Sequence, residues 1–395
     1  MMARKAITGN GAVALALKQV EPDVMAAYPI TPATEIAQNY AQYVANGDVV
    51  TEYIAVESEH SAMSAAIGSA SAGARTITAT SSQGFALMWE MLFIASSLRL
   101  PITMPVVTRA LSGPINIHCD HSDSMGGRDC GWIQLYGEDA QEGYDNVIQA
   151  FRIGEHMDVR MPVMTMIDGF IISGAIGPLD ALEDDEVKKF VGDYKAVNPL
   201  LDVDNPVTIG AFDSLGGWYF EHKISQNRAM ENAMKVIEDV GREYGELTGR
   251  EYAHFKTHEI EDADIVLVAI GSAAGNVKTV VKKLRAEGRK VGVLKVRTFR
   301  PFPTEQIREA LSGAKVIGVM DRSDSFGAQG GQLFTEISAA MYGGESHPQI
   351  YNFIYGLGGR DIFPDDIEGA VEMLEKAAAG EKLEQKRHYL NVREG

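Results

Sequence analysis

Short apolar runs alternate with longer stretches of helical periodicity along the first part of the chain. The runs "DVMAAY" (23–28) and "PITMPVVT" (101–108) have the length and composition of buried strands. Residues 33–47 instead repeat their apolar side chains at helical spacing. Strand–helix alternation predicts a parallel sheet covered by helices on both faces. The predicted elements are a strand and an amphipathic helix within 1–20, then strands at 23–28, 51–56, 75–80, 101–108 and 162–170, and helices at 33–47, 58–73, 85–98 and 138–155.

The alternation breaks off near residue 180, where charged residues and prolines replace any clear period. A long helix near 222–247 follows. A second alternating block begins at "ADIVLVAIGS" (263–272), reads "KVGVLKVRTF" as one strand, and uses "GAQGGQ" (327–332) as a tight turn into a helix at Gln332. We therefore predict an α/β protein with a first domain at 1–250, an irregular excursion within it at about 180–250, a smaller domain at 251–380, and a charged tail at 381–395 that docks or frays.

The net charge of the chain argues against nucleic acid as a partner. The formal net charge is −18, and an acidic surface repels phosphate backbones, so we predict no nucleic-acid partner. No apolar run reaches the ~20 residues of a membrane-spanning helix. No small-residue cleavage site follows the N-terminal apolar patch. The sequence therefore predicts a cytoplasmic protein without a membrane association.

The chain has only two cysteines, Cys119 and Cys130. Two thiols cannot supply the four ligands of an iron–sulfur cluster. Both cysteines lie near His118 and His121, but the spacing of these four residues matches no familiar zinc pattern. We predict no metal site in this chain, and expect buried or bystander thiols.

Two prolines bracket a threonine in "YPITP" (28–32), directly after a predicted strand. Pro32 suits the first position of a helix, and Thr31 would then be the N-cap, held extended by the proline that follows it. A capped helix alone would explain this pattern. The alternative is a stiff turn that fixes the threonine hydroxyl at the carboxyl edge of a sheet, where ligands bind.

Charged side chains follow two other predicted strands. Glu57 and Glu59 come after 51–56, where a carboxylate could stabilise a helix terminus or hold a ligand nitrogen. Arg109 ends the strand 101–108, where it could extend its charge to solvent or bind a carboxylate bidentately. Because parallel strands end at one edge of a sheet, we expect Thr31, Glu59 and Arg109 to converge there.

Five ordered blocks carry a resemblance that spans nearly the whole chain. The chain resembles the α subunits of multi-subunit 2-oxoacid:ferredoxin oxidoreductases, and is most similar to those of the pyruvate-specific type. This resemblance implies a thiamine-diphosphate-enzyme domain followed by a transketolase-C-terminal-like domain. The blocks are "YPITPATEIA", "VESEHSAMSAAIGSASAGART", "TSSQGFALMWEML", "TRALSGPINIHCDHSD" and "RDCGWIQLY".

The resemblance implies a role for each candidate residue. Thr31 and Arg109 would bind the 2-oxoacid, with Arg109 pairing with its carboxylate. Glu59, rather than Glu57, would hold the aminopyrimidine nitrogen of thiamine diphosphate, and all three residues would be catalytic. The loop 112–123 would border the pocket. Further contacts to the cofactor are expected from Tyr28, Pro29 and Ile30.

The family's reaction is oxidative decarboxylation of a 2-oxoacid with coenzyme A, with ferredoxin as electron acceptor. Family members hold the diphosphate and Mg²⁺ with a Gly-Asp-Gly segment, which this sequence lacks. The resemblance therefore implies that the Mg²⁺ and the [4Fe-4S] clusters lie on β, γ and δ partner subunits, in a dimer of heterotrimers or heterotetramers, and that this chain alone is inactive.

The substrate and the catalytic role have alternatives. Pyruvate is the expected substrate, with 2-oxoglutarate, a branched 2-oxoacid or oxalate as alternatives within the same chemistry. A non-catalytic scaffold subunit is the alternative from another class. A scaffold would need none of Thr31, Glu59 and Arg109, so their joint presence favours a catalytic subunit.

Overall fold

The computed structural model describes residues 3–210 and 212–393, which form fifteen strands and thirteen α-helices. The strands are β1 (Ala3–Thr8), β2 (Val24–Ala27), β3 (Glu52–Ala55), β4 (Thr76–Ile77), β5 (Thr103–Thr108), β6 (Ile133–Tyr136), β7 (Val163–Asp168), β8 (Ile176–Ala181), β9 (Phe255–His258), β10 (Ile265–Ile270), β11 (Val291–Val296), β12 (Thr298–Arg300), β13 (Val316–Asp321), β14 (Gln349–Ile354) and β15 (Arg387–Tyr389). The helices are α1 (Gly9–Val20), α2 (Thr34–Asn46), α3 (Glu59–Ala72), α4 (Ser82–Leu87), α5 (Trp89–Ser97), α6 (Ser122–Gly126), α7 (Ala140–Glu155), α8 (Asp184–Val191), α9 (Tyr219–Thr248), α10 (Ala273–Ala286), α11 (Thr304–Leu311), α12 (Gln332–Tyr342) and α13 (Pro364–Ala378).

The first sheet has seven strands in the order β12-β6-β7-β5-β4-β2-β3. Its strands from β6 to β3 are parallel, and β5 and β7 pair in register from Thr103 opposite Val163. Helices cover both faces, as the alternation predicts. Val163 and Ile167 of β7 pack into a core with α1, α2 and α7, whereas Met164 and Met166 point into a second core with α3 and α5.

Several elements of the first sheet differ from prediction. The helix α1 is buried on nearly all sides rather than amphipathic, because α2 and α7 pack against it. The predicted helix at 85–98 is two helices, α4 and α5, that meet at Met88. The predicted strand at 75–80 is short: only Thr76 and Ile77 pair regularly, with one further bridge at Thr80.

The excursion at about 180–250 contains regular structure. The strand β8 pairs antiparallel with β1 to form a small sheet, and α8 follows it. Residues 192–218 are irregular where they are described, and α9 then runs for 30 residues. In the part of the chain that the structure describes, no helix has both the length and the apolarity needed to cross a membrane.

The second sheet has six strands in the order β15-β14-β13-β10-β11-β9. Its helices α10 and α13 cover one face, and the other face packs into the same core as α3 and α5 of the first sheet. The helix α12 begins at Gln332, as predicted. The described part of the tail docks, because β15 pairs in parallel with β14.

The chain crosses between the two sheets within the segment predicted as one strand. Residues 291–296 form β11 of the second sheet, and Thr298–Arg300 form β12, which pairs antiparallel with β6 of the first sheet. Arg297 lies between them, fully buried, and donates hydrogen bonds to Asn146 Oδ1 at 2.8 Å and Gln149 Oε1 at 3.0 Å of α7. The prediction of a single strand for "KVGVLKVRTF" was therefore wrong.

Candidate active site

Thr31, Glu59 and Arg109 follow three strands that lie close together in the first sheet. Thr31 comes after β2, Glu59 after β3 and Arg109 after β5, and these strands are separated only by β4 in the order β5-β4-β2-β3. All four strands are parallel, so their carboxyl ends share one edge. The structure therefore places the three residues at the edge where α/β proteins bind ligands.

Arg109 is 6% exposed, and its guanidinium turns inward rather than out to solvent. Its Nη1 donates to the backbone carbonyl of Thr31 at 2.9 Å, and its Nε donates to the carbonyl of Asn116 at 3.1 Å. Within residues 3–210 and 212–393, no carboxylate forms an ion pair with Arg109. Burial lowers the pKa of this guanidinium, but an arginine stays charged at neutral pH. The positive charge is therefore held at the sheet edge without an ion pair, and the nearby Asp123 carboxylate raises the pKa of Arg109 against the larger effect of burial.

Thr31 is exposed and does not cap the helix. The helix α2 begins at Thr34, its N-cap is Ala33, and no side chain caps it. Three residues of turn precede the helix, and the Thr31–Pro32 peptide bond is cis. The carbonyl of Pro32 accepts a hydrogen bond from Asn10 Nδ2 at 2.8 Å. The prediction of Thr31 as N-cap and Pro32 as first helical residue was wrong, because the turn comes between the strand and the helix.

The residues before Thr31 line the approach to the edge. Tyr28 and Pro29 are exposed, and Ile30 is half-buried. They connect the end of β2 to the turn that presents Thr31. The exposed parts of these three side chains are accessible to a ligand.

Glu59 is the first residue of α3 and is 6% exposed. Burial raises the pKa of its carboxyl, against a smaller opposite effect of its own backbone N–H. Among the residues that the structure describes, no cation forms an ion pair with it. Gly84 lies directly against the carboxylate, since a Cβ on Gly84 would come 2.5 Å from Glu59 Oε1. The site therefore holds a buried acid that lacks a charged partner.

Glu57 has a different environment from Glu59. Its carboxylate is exposed and accepts a hydrogen bond from the Ser61 hydroxyl at 2.5 Å. That contact lowers the pKa of Glu57, so this carboxylate is an ordinary ionised group near a helix N-terminus. Of the two glutamates, Glu59 has the burial and the unpaired carboxyl that a ligand nitrogen would require.

The loop 112–123, which the resemblance places at the border of the pocket, lies beside Arg109. Its Asn116 accepts from Arg109 and donates from Nδ2 to the carbonyl of Gly358 at 2.9 Å. Asp120 accepts from the backbone N–H of Gly358 at 3.1 Å. The loop thus connects the edge of the first sheet to the segment after β14 of the second sheet.

A buried polar cluster that the sequence did not indicate joins the two sheets. Asp168, the last residue of β7, accepts from His121 Nε2 at 2.7 Å, from Ser272 Oγ at 2.5 Å and from Arg322 Nη1 at 3.2 Å. Burial works to raise the pKa of Asp168, but His121, Arg322 and Ser272 together hold it below its ordinary value. An aspartate ending an apolar strand was the available sequence signal.

Cys119 belongs to the same cluster, and its Sγ lies with His121 and Asp168 in a group whose ligand atoms are all within 4.8 Å of one another. His118 and Cys130 are not members of that group. Asp168 already neutralises the Arg322 guanidinium, so a cation here would compete with arginine for the same carboxylate. The arrangement is that of an ion-pair network centred on Asp168, in which His121 Nδ1 and Arg322 Nε have no hydrogen-bond partner among the described residues.

A cavity of about 610 Å³ lies away from this edge, between α9 and the segment 300–306. None of Thr31, Glu59 and Arg109 lines it. The candidate site is therefore identified by its convergent polar groups rather than by this cavity.

Two family models match the chain in succession. Residues 15–242 match the model described as pyruvate flavodoxin/ferredoxin oxidoreductase, thiamine diphosphate-binding. Residues 263–367 match the model described as pyruvate:ferredoxin oxidoreductase core domain II. The first match alone spans more than half of the chain.

Curated relatives are similar over nearly their full length. The pyruvate synthase subunit PorA of Thermotoga maritima is 53% identical over 99% of this chain and 98% of its own. The PorA of Methanocaldococcus jannaschii is 48% identical over 94% of this chain and 95% of its own. The ketoisovalerate oxidoreductase subunit VorA of Pyrococcus abyssi is 43% identical over 99% of this chain and 98% of its own.

Solved structures share the fold at low sequence identity. A 2-oxoglutarate:ferredoxin oxidoreductase from Magnetococcus marinus superposes with a TM-score of 0.71 at 22% identity, over 94% of this chain and 65% of that chain. A split-gene transketolase superposes with a TM-score of 0.55 at 13% identity, over 93% of this chain and 98% of that chain. The predicted fold class, a thiamine-diphosphate-enzyme-type domain followed by a transketolase-C-terminal-like domain, is confirmed. The chain belongs to the pyruvate flavodoxin/ferredoxin oxidoreductase family, as an α subunit of the group that contains the PorA chains of pyruvate synthase.

Proposed function

We propose that this chain provides the substrate and pyrimidine side of an active site that oxidatively decarboxylates pyruvate with coenzyme A. The products are acetyl-CoA and CO2, ferredoxin takes up the electrons, and the reaction can run in reverse. The observation that carries the proposal is the convergence of Thr31, Glu59 and Arg109 at one sheet edge. A scaffold subunit would not need, at the same sheet edge, a buried acid and a buried guanidinium that form no ion pair within the described residues.

The residues at this edge fit thiamine diphosphate. When bound, this cofactor supplies the nucleophilic carbon and the electron sink for decarboxylation. Glu59 would hold the aminopyrimidine nitrogen, because its carboxyl has a raised pKa and can share a proton at its Oε1 or Oε2. Gly84 has no side chain that could displace this carboxylate, whereas a Cβ at that position would lie 2.5 Å from Glu59 Oε1. Tyr28, Pro29 and Ile30 would contact the same cofactor from the turn.

Arg109 and Thr31 would hold the substrate. The Nη2 of Arg109 makes no hydrogen bond within the described residues, so it can donate to the carboxylate of a 2-oxoacid. The Thr31 hydroxyl is likewise unbonded in that part of the chain and can donate to the keto oxygen. Fixing both ends of a small substrate before reaction is mainly an orientation effect.

The remaining catalytic equipment would come from partner subunits. The curated relatives are named as subunits, and this sequence lacks Gly-Asp-Gly and has only two cysteines. We therefore assign Mg²⁺ and the [4Fe-4S] clusters to β, γ and δ partners, in a dimer of heterotrimers or heterotetramers. Exposed apolar side chains next to Arg109 suit such an interface, with Ile115 76% and Ile117 43% exposed.

Pyruvate is the substrate that the relatives favour, since the PorA chains reach 53% and 48% identity. A branched 2-oxoacid is the second candidate, because the VorA of Pyrococcus abyssi is 43% identical and the PorA of the same organism is 40% identical. The test is an assay of the purified complex with pyruvate, 2-oxoisovalerate, 2-oxoglutarate and oxalate, using coenzyme A and a viologen dye. The highest kcat/KM is expected for pyruvate. A higher kcat/KM for another of the four acids would overturn the substrate assignment.

A further inference from the structure

Asp123 is a buried carboxylate that binds backbone rather than side chains. It is 1% exposed. Its Oδ2 accepts from the backbone N–H of Ser82 and of Arg109, each at 2.9 Å, and its Oδ1 accepts from the N–H of Ser124 at 2.6 Å. Burial raises the pKa of this carboxyl to about 7, while the three N–H groups act in the opposite direction. The Asp123 side chain therefore connects two loops. One follows β4 and ends at Ser82, and the other follows β5 and begins at Arg109.

Each of the two loops carries one side of the proposed site. The N–H of Arg109 belongs to the residue whose guanidinium contacts Thr31. The N–H of Ser82 opens α4, and two residues later Gly84 lies against the Glu59 carboxylate. Asp123 thus holds the backbone at Arg109, which we propose binds the substrate. It also holds the backbone near Gly84, which lies against Glu59, the proposed ligand of the cofactor.

Ser82 also needs to be held in place. Its φ is +45°, in the left-handed region that non-glycine residues rarely adopt, and it is fully buried. Its hydroxyl donates to the carbonyl of Ala110 at 2.5 Å. Backbone strain of this kind persists only where surrounding contacts impose it, and it concentrates at functional sites. The Asp123 carboxylate is one of those contacts.

We propose that Asp123 is a positioning residue for the reaction. It holds two parts of the proposed site at the correct separation: the backbone at Arg109, and the start of α4, where Gly84 lies against Glu59. The proposal rests on the proposed function. Asp123 is 1% exposed and acts through the two backbone N–H groups rather than by contact with substrate or cofactor. Its loss would shift both loops, and a displacement of ~1 Å at a catalytic group can cost about a hundredfold in rate.

Asp321 offers a matched control. It is another fully buried aspartate that accepts two backbone N–H groups, from Leu333 at 2.8 Å and Phe334 at 3.1 Å, and it also accepts from Asn352 Nδ2 at 2.8 Å. Those groups belong to the start of α12, which carries no candidate site residue. Loss of either aspartate removes a buried acceptor, but only Asp123 is tied to the proposed site.

The experiment compares Asp123→Ala, Asp123→Asn and Asp321→Ala in the complex purified with its partner subunits. The readouts are Tm, kcat and KM for pyruvate, and the thiamine diphosphate concentration for half-maximal activity. For Asp123→Ala we expect kcat/KM to fall about a hundredfold, with a higher cofactor requirement. For Asp321→Ala we expect a lower Tm with kcat/KM per assembled complex within about threefold of the parent. Similar kcat/KM in the two alanine variants would overturn the proposal.

The asparagine variant decides the matter if Asp123→Ala fails to assemble. An asparagine fills the same space, and its single oxygen can take the position of Oδ2 and keep the bonds from Ser82 and Arg109, with its NH2 facing the Ser124 N–H. We expect an assembled complex with kcat/KM within about tenfold of the parent, since the two bonds that lead to the site are retained on a neutral acceptor. An assembled Asp123→Asn complex that loses about a hundredfold in kcat/KM would overturn the proposal, because these two backbone bonds would then not be what sets the site. Arg109→Ala, measured in parallel, separates failure of this proposal from failure of the proposed function. An active Arg109→Ala complex contradicts the proposed function itself.

Discussion

The guanidinium Nη1 of Arg109 donates a hydrogen bond to the backbone carbonyl of Thr31 at 2.9 Å. This contact joins the loop after β5 to the turn after β2, although 78 positions separate the two residues in sequence. The carbonyl of Thr31 is thereby used, and its hydroxyl stays available at the surface. The side chain of Arg109 thus holds the backbone at Thr31, and the two residues that the sequence placed at one sheet edge are joined.

The first prediction concerns Arg109. Arg109→Ala should lower kcat/KM for pyruvate by about a hundredfold or more, since a charged hydrogen bond contributes about 1.5–3 kcal/mol and two carbonyls also lose their donor. Arg109→Lys keeps the charge without the planar fork, so an intermediate loss is expected. Steady-state assays of the assembled complex measure both.

The control for Arg109 is Arg242→Ala, which removes an exposed arginine from α9. It should leave kcat and KM unchanged, because surface ion pairs contribute little. Parent-like turnover in the Arg109→Ala complex would remove this residue from the site.

A second prediction uses the glycine against Glu59. Gly84→Ala places a Cβ 2.5 Å from Glu59 Oε1, so the carboxylate must move. We expect a raised thiamine diphosphate requirement and a fall in kcat of about a hundredfold, as expected for a misplaced catalytic group. Titration of the cofactor into the apo-complex with activity as the readout measures both values.

The matched control is Gly68→Ala, within the same helix as Glu59. A Cβ on Gly68 meets nothing within 4 Å. Alanine is the better helix former by about 1 kcal/mol, so this variant should be at least as stable as the parent and equally active. If both alanine variants behave alike, Gly84 has no special relation to the cofactor.

The position of the carboxylates and the arginine at this sheet edge could be predicted from the sequence, because strand ends can be located from apolar runs. The strands β5, β7, β10 and β13 are buried along their whole length and read as continuous apolar segments. Parallel pairing then places whatever follows each strand at one edge. Arg109 follows the buried strand β5 and could be placed in this way, whereas Glu59 follows β3, a strand that is not buried.

Other features have no local signal. The strand β12 is three residues long and pairs with β6 of the other sheet, so only the tertiary fold creates it. The turn before α2 defeated the N-cap prediction for Thr31, because a Thr-Pro pair fits a turn as well as a helix start. Asp123 binds backbone N–H groups, which every residue but proline has, so its role was invisible in sequence.

A third prediction follows from the raised pKa of Glu59. Between the ordinary glutamate pKa of about 4.3 and the raised value, the folded chain binds more protons than the unfolded chain. Stability contributed by this group is therefore complete at low pH and is lost as pH rises through the raised pKa. In Glu59→Gln this dependence disappears.

Urea unfolding of the cofactor-free full chain tests this at several values from about pH 5 to about pH 8. The free energy of unfolding of the parent, minus that of Glu59→Gln, should decrease as the pH rises. A difference that increases with pH would mean that a cation pairs with Glu59 in the folded chain.

A fourth prediction concerns the two thiols. Cys119 and Cys130 are each 1% exposed, and burial raises the pKa of both, that of Cys130 to about 12. A thiol that is buried and protonated reacts slowly with disulfide reagents. The native chain should show almost no reaction with 5,5′-dithiobis(2-nitrobenzoic acid), and both thiols should react after unfolding in guanidinium. Rapid modification of the native chain would contradict their burial.

The central claim is that this chain supplies Glu59, Thr31 and Arg109 to an active site that partner subunits complete. The most direct test is CO2 release from carboxyl-labelled pyruvate, with thiamine diphosphate, Mg²⁺, coenzyme A and an electron acceptor present. The purified chain alone should release no CO2, the chain with its partner subunits should turn over, and Glu59→Gln in that complex should abolish turnover. Release of CO2 by the chain alone, at the rate of the complex, would contradict the account.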